Sequence, residues 1–263
     1  MTILLIAASK SDLEVMRKAA AALEKNGITS KMRVCSAHRT PEMLDKIIEE
    51  AKNSQSGYDA VIAAAGLAAA LPGVVAAKTL LPVIGIPLTG AFEGLDAMLS
   101  IIQMPPGIPV LTTGVNNAEE AAKAAALIAK NKMKRINLVN HGKSQKAVDR
   151  ATETLNELGI EYSLGDKILE TAINISFTGI NEKEGASSET AVVINCPIAE
   201  KEMATDAVKL LQLTKKGAWV GLNRGENAAV AAAEMLKKDK ELTEYRWKMK
   251  IKVEEADKEA GRE

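Results

Sequence analysis

Aromatic side chains are scarce in this 263-residue chain: two Trp, three Tyr and two Phe make up 3% of it. A core must therefore be built from Ala, Val, Ile and Leu, with alanine allowing helix and sheet to approach closely. Net charge is also missing, because 34 Lys and Arg balance 34 Asp and Glu. That balance argues against nucleic acid or an anionic membrane as a partner. The two cysteines, Cys35 and Cys196, stand far apart and in no metal-ligand or redox spacing. No metal site or disulfide framework is expected, and a reduced, cytoplasmic setting is the simplest inference. The start, Met1 to Ile6, has neither the basic region nor the long apolar stretch of an export signal. Membrane-spanning runs are absent too. The charge-free run Ala60 to Ala77 is mostly Ala and Gly, is broken by Pro72-Gly73 and stops at Lys78. It reads as a buried strand, a small-residue turn and a buried helix. With two histidines in the whole chain, proton transfer near neutral pH has few carriers.

What is present is alternation. Apolar runs of strand length alternate with helical periods: Ile3 to Ala7 then Leu13 to Glu24, Ser30 to Cys35 then Glu42 to Lys52, and Ala60 to Ala64 then Pro72 to Thr79. Pro82 to Pro87 then Leu95 to Ile102, and Val110 to Gly114 then Ala118 to Lys130, complete five such units. This pattern predicts a doubly wound α/β fold on a parallel sheet, with a flavodoxin-like strand order. The chain then starts again. Arg135 to Val139, the polar turn His141-Gly142-Lys143-Ser144 and a helix ending Leu158-Gly159-Ile160 retrace the first strand, turn and helix. Thr190 to Ile194 retraces Asp59 to Ala63, and Gly217 to Glu226 retraces Gly107 to Glu119. An internal duplication follows, with a first domain over 1–132 and a second, degenerate copy over 133–263. The second copy lacks a counterpart of Ser36 to Pro41 and of Pro82 to Pro105. The charged tail Lys237 to Glu263 has helical spacing and reads as a solvated or subunit-crossing helix.

Two turns carry candidate chemistry. Ser36-Ala37-His38-Arg39-Thr40-Pro41 places an imidazole and a guanidinium between a strand and a helix, with Thr40-Pro41 as cap and first-turn proline. In an open parallel sheet the carboxyl edge of the strands is where ligands bind. Free helix N–H groups beside an arginine suit a phosphate. Ala8-Ser9-Lys10-Ser11-Asp12 follows the preceding strand, and Ser11-x-x-Glu14 fits a capping box. Its hydroxyls suit a phosphate or ribose, and Asp12 suits sugar hydroxyls. Adjacent parallel strands would bring both turns to one edge. The small-residue turn Ala65 to Gly73 allows backbone to approach a flat ligand. No cofactor fingerprint is present.

These segments together resemble the family of N5-carboxyaminoimidazole ribonucleotide mutase, also known as the catalytic subunit of phosphoribosylaminoimidazole carboxylase. The resemblance rests on SKSD at Ser9 to Asp12, SAHRTP at Ser36 to Pro41, AALPG at Ala69 to Gly73 and AAKTLLPVIGIP at Ala76 to Pro87. GLD from Gly94, followed by LSIIQMPPGIPV at Leu99 to Val110, extends it. It covers about residues 1–130. It implies a three-layer α/β/α flavodoxin-like domain, with two fused copies forming a homo-oligomer, a tetramer that mimics the family's octamer. The substrate would be a small ribonucleotide together with CO2. By resemblance Ser9, Asp12 and Arg39 hold ribose and phosphate, Ser11 and Ser36 lie nearby, and His38 is the general acid and base. The loop from Gly66 and Leu67 covers the imidazole and the CO2 pocket. No cofactor or metal is called for. The chain departs from the family at Ala8, where bacterial members have Gly, and at Ala70, where a histidine is usual. Three readings stay open: the mutase, a carboxylase taking free CO2, and a non-catalytic nucleotide-binding assembly protein.

Overall fold

A computed structural model describes residues 1–52, 57–140 and 145–261. The first half runs β1 (Thr2–Ala7), a 3-10 turn (Lys10–Asp12), α1 (Leu13–Lys25), β2 (Thr29–Val34), α2 (Pro41–Lys52), β3 (Tyr58–Ala65) and α3 (Leu71–Lys78). It continues with β4 (Val83–Pro87), α4 (Leu95–Ile102), β5 (Leu111–Thr112) and α5 (Ala118–Lys130). The second half contains β6 (Ile136–Asn140), α6 (Gln145–Glu157), β7 (Tyr162–Gly165), β8 (Ile173–Gly179) and β9 (Val193–Ile198). It ends with α7 (Asp206–Leu213), β10 (Ala218–Trp219), α8 (Gly225–Met235) and α9 (Asp239–Ala260).

Among the described residues the strands form one ten-stranded sheet ordered β2-β1-β3-β4-β5-β10-β9-β8-β6-β7. Read from each outer end inward, both halves follow the same flavodoxin-like order, so the fold is duplicated. Pairing is parallel within each half and antiparallel at the seam, where Trp219 faces Thr112. The two carboxyl edges therefore point to opposite ends of the molecule. Matching clasps hold the seam. Gly107 N–H donates to Asn227 Oδ1 at 2.7 Å, and Gly217 N–H donates to Glu120 Oε1 at 3.0 Å. Both glycines have φ of +84°, a left-handed conformation costly for other residues.

Strand alternation sorts the side chains by face. Ile3 and Leu5 face a core formed with α1, α5, α6 and α8, whereas Leu4 and Ile6 face α2, α3 and α4. The alanine-rich α5 and α8 pack tightly onto the first of these faces, as the lack of aromatics implied. Burial pushes the Cys196 thiol up, so on β9 it acts as a small apolar packer.

The second half differs on the other face. No helix links β7 to β8 or β8 to β9; loops cover the sheet there, pinned by buried asparagines. Asn174 accepts from Leu169 N–H and donates to the Leu169 and Ala172 carbonyls. Asn137 Nδ2 donates to Lys167 O, and Asn195 exchanges two hydrogen bonds with the Ala186 backbone.

The structure corrects several expectations. Thr190 to Ile194 leads into β9, which occupies the place of β4, not that of Asp59 to Ala63 in β3; the strand equivalent to β3 is β8. Pro82 to Pro105 accordingly has a partial counterpart, since β9 and α7 hold the positions of β4 and α4. The strand expected over Val110 to Gly114 is only the two-residue β5. The proposed turn at His141-Gly142-Lys143-Ser144 lies outside the described residues. The tail is not wholly solvated: Leu242 is buried, and Arg246 Nη1 donates to the Ala76 and Thr79 carbonyls at the end of α3. Arg246 also pairs with buried Glu234 on α8 at 2.7 Å. Burial lifts the Glu234 carboxyl to about 8, against the pull of the guanidinium. No helix among the described residues is long and apolar enough to cross a membrane.

Candidate active site

Because β1 lies between β2 and β3, and β3 beside β4, the loops after these four strands meet at one carboxyl edge. They enclose a cavity of about 410 Å³. Ser9, Ser11, Asp12, Ser36, His38, Arg39, Gly66 and Leu67 all line it, so the structure brings together every site residue expected from the sequence. Its charged or titratable lining groups are Asp12, His38 and Arg39.

The first loop is rigid by hydrogen bonding. Ser9 N–H donates to Asp12 Oδ2 at 2.8 Å, Ser11 Oγ donates to Asp12 Oδ1 at 2.8 Å, and the two serine hydroxyls lie 2.5 Å apart. Asp12 thus caps backward onto Ser9. The cap forms two residues earlier than the expected Ser11–Glu14 box, since Ser11 lies inside the 3-10 turn and gives its hydroxyl to Asp12, and Glu14 pairs with Lys18 one turn along α1. That pair also holds the Glu14 carboxyl below its ordinary range.

In the second loop Thr40 turns toward Ser36. Its hydroxyl accepts from Ser36 N–H at 3.0 Å and donates to the Ser36 carbonyl at 3.2 Å, while α2 opens on Pro41 as expected. Ser36 Oγ accepts from Arg39 N–H and, at 3.4 Å, from Arg39 Nε. The guanidinium is thereby tethered near its base, while its outer nitrogens make no hydrogen bond among the described residues and can meet an anion. Cys35 lies buried behind this turn, with Sγ 3.4 Å from Thr40 Oγ1. His38 is exposed to the cavity, not packed in the core.

The third loop contributes Gly66, exposed Leu67, and Ala68 with φ of +47°. A Cβ on Gly66 would make only ordinary contact with Leu88, so packing within this chain does not demand glycine there. The fourth wall, Leu88, Thr89 and Gly90, was missed by the sequence reading. These residues follow β4, and the rule that ligands gather at carboxyl ends of parallel strands applied to them equally. Apolar Ala8, Ala37, Ala65, Ala68, Ala70 and Leu71 complete the lining. Among the described residues no cluster of three or more His, Cys, Asp or Glu is placed to hold a metal ion.

An imidazole, a tethered guanidinium and a hydroxyl-rich turn around one cavity suit proton transfer on an anionic substrate. A family model described as AIR carboxylase matches residues 2–150. The chain belongs to the AIR carboxylase family. It is 51% identical over 120 residues to the N5-carboxyaminoimidazole ribonucleotide mutase of Methanocaldococcus jannaschii, covering 46% of this chain and 73% of that protein. The mutase of Pyrococcus horikoshii is 43% identical over 167 residues, covering 62% of this chain and 93% of that one. The phosphoribosylaminoimidazole carboxylase of Candida albicans is 40% identical over 169 residues, covering 62% of this chain and 29% of that protein. In this family context the seam and the degenerate second half set this chain's architecture apart from a single flavodoxin-like unit.

Proposed function

We propose that this chain is an N5-carboxyaminoimidazole ribonucleotide mutase of purine biosynthesis, with His38 as its general acid and base. The observation that carries the reading is the convergence of His38, Arg39, Ser9, Ser11 and Asp12 on one cavity in a member of the AIR carboxylase family. Arg39 and the serine hydroxyls hold the phosphate and ribose, and Asp12 accepts from sugar hydroxyls. His38 delivers a proton to the exocyclic nitrogen as the N–C bond to the carboxyl group breaks and CO2 is released. Ring carbon C4 then attacks the CO2 carbon. His38 takes the C4 proton, restoring the aromatic ring and its own starting state. A positioned imidazole of this kind contributes roughly 10²- to 10⁴-fold. The apolar lining from Ala65 to Leu71 and Leu88 retains CO2 between the two steps.

In this reading residues 1–132 form the catalytic domain and 133–263 a scaffold, in a cytoplasmic homo-oligomer. Leu67, which lines the cavity, is 71% exposed, and Phe92, two residues beyond the lining Gly90, is 78% exposed, which suits coverage by a neighbouring subunit. A second reading, direct carboxylation of aminoimidazole ribonucleotide by free CO2, is favoured by Ala70, which puts a methyl group where the family usually has an imidazole. Purified protein supplied separately with each substrate decides between them. Rapid conversion of N5-carboxyaminoimidazole ribonucleotide without added CO2 supports the mutase. Turnover only of aminoimidazole ribonucleotide with CO2 replaces it by the carboxylase.

A further inference from the structure

We propose that Thr89 is a hydrogen-bond donor to an anionic oxygen of the bound ribonucleotide, and that Asn116 is its positioning residue. The inference rests on the ribonucleotide reading of the cavity and adds two residues to it. Asn116 follows β5 with φ of +57°, a conformation that Asn tolerates better than most residues. Its backbone N–H donates to the Pro87 carbonyl at 2.8 Å. Its side chain spans to the fourth cavity wall: Oδ1 accepts from Thr89 N–H at 3.1 Å, and Nδ2 donates to Thr89 Oγ1 at 2.6 Å.

The direction of these bonds is fixed by chemistry. A backbone N–H can only donate, so the amide oxygen must face it and the NH2 must face the hydroxyl. Thr89 Oγ1 is therefore an acceptor toward Asn116. Its own proton is left to donate elsewhere, and no acceptor for it occurs among the described residues. Thr89 lines the cavity, so that donor serves whatever occupies it.

The second half contains the control. Asn223 repeats the clasp with φ of +57°, a 2.8 Å bond from its N–H to the Pro197 carbonyl, and Oδ1 accepting from Ala199 N–H at 3.0 Å. The residue clasped there is alanine, and Asn223 Nδ2 turns to the Ala199 carbonyl and Glu202 instead. The backbone clasp is thus common to both halves, whereas the oriented hydroxyl belongs only to the half that has the His38 cavity.

The test is steady-state kinetics and melting temperature on the full chain. Thr89→Val is expected to raise KM about tenfold or more with a smaller fall in melting temperature than Asn116→Ala gives, and Thr89→Ser to restore both. Asn116→Ala and Asn223→Ala should both lower the melting temperature, and only Asn116→Ala should raise KM. Binding of aminoimidazole ribonucleotide and of its carboxylated forms identifies the anion held. Weakening confined to the carboxylated forms assigns Thr89 to the carboxylate, and equal weakening assigns it to the phosphate. Wild-type kinetic and binding constants in Thr89→Val, or equal KM effects of Asn116→Ala and Asn223→Ala, overturn the proposal and leave the function standing. A wild-type protein that neither turns over nor binds these nucleotides overturns both.

Discussion

Val61 on β3 and Asn174 on β8 hold the same place in the two halves, and the contrast between them explains how one topology serves two ends. The matched clasps make Pro87 equivalent to Pro197. Register then aligns Ala65 with Thr178, Val61 with Asn174 and Leu4 with Asn137. In the first half Val61 and Leu4 are buried beneath α2 and α3. In the second half those helices are missing, and the asparagines bind loop backbone that would otherwise be buried without partners. The helices and the chemistry go together: the loop before α2 carries His38 and Arg39, and the loop before α3 carries Gly66 and Leu67. Where β7 passes to β8 without a helix, no equivalent of that turn is built.

Substitutions across this comparison rank by size. Arg246→Ala removes the cap on the α3 carbonyls and strands buried Glu234. A loss of roughly 3–5 kcal/mol is expected in urea unfolding at pH 9, where the Glu234 carboxyl is ionised, and a loss below 1 kcal/mol would mean that α9 does not join the halves. Val61→Asn puts an amide beneath α2 and α3, where no loop backbone meets it. Lost apolar burial and an unpaired amide together cost about 3–4 kcal/mol, measured the same way. The reciprocal change, Asn174→Val, fits the strand but leaves Leu169 N–H without its acceptor and strips the amide donor from the Leu169 and Ala172 carbonyls, of which Leu169 O keeps Ala172 N–H, at about 1–3 kcal/mol. A stabilised Asn174→Val would show that the loops are not held by the sheet.

The smallest effect is a pH slope. With its folded carboxyl lifted to about 8, Glu234 binds its proton more tightly in the folded than in the unfolded chain. Its contribution is complete at low pH and is lost as pH rises through about 8. Melting temperatures between pH 5 and 9 should fall less steeply in Glu234→Gln than in the unsubstituted chain, and equal slopes would contradict the assignment.

Much of the first half was legible because its signals are local. Alternating apolar runs and the Thr40-Pro41 start located its strands and helices, and parallel adjacency placed the loops at Ser9 and His38 together. The second half was harder to read for a physical reason. Asn174 and Ser176 interrupt the apolar pattern of β8, so the strand is buried along nearly its whole length yet lacks the continuous apolar run that marks a parallel sheet in sequence. The next apolar run, now β9, was therefore matched one strand too early. Seam contacts such as Glu120 to Gly217 span 97 residues, and no local pattern announces them. At the site, Asp12 caps back to Ser9, and Ser11 and Glu14 form no box, because a 3-10 turn over Lys10–Asp12 precedes α1 and takes Ser11 into itself. Thr89 and Asn116 escaped notice because neither is ionisable, and their pairing depends on the left-handed backbone at Asn116.

In the proposed mechanism the first half's imidazole moves the proton while the second half supports it. Single-turnover conversion of N5-carboxyaminoimidazole ribonucleotide by His38→Asn, with nucleotide binding measured on the same preparation, tests it most directly. The expected rate is lower by about 10²-fold or more, with nucleotide affinity retained. A rate within a few-fold of the unsubstituted chain would contradict it.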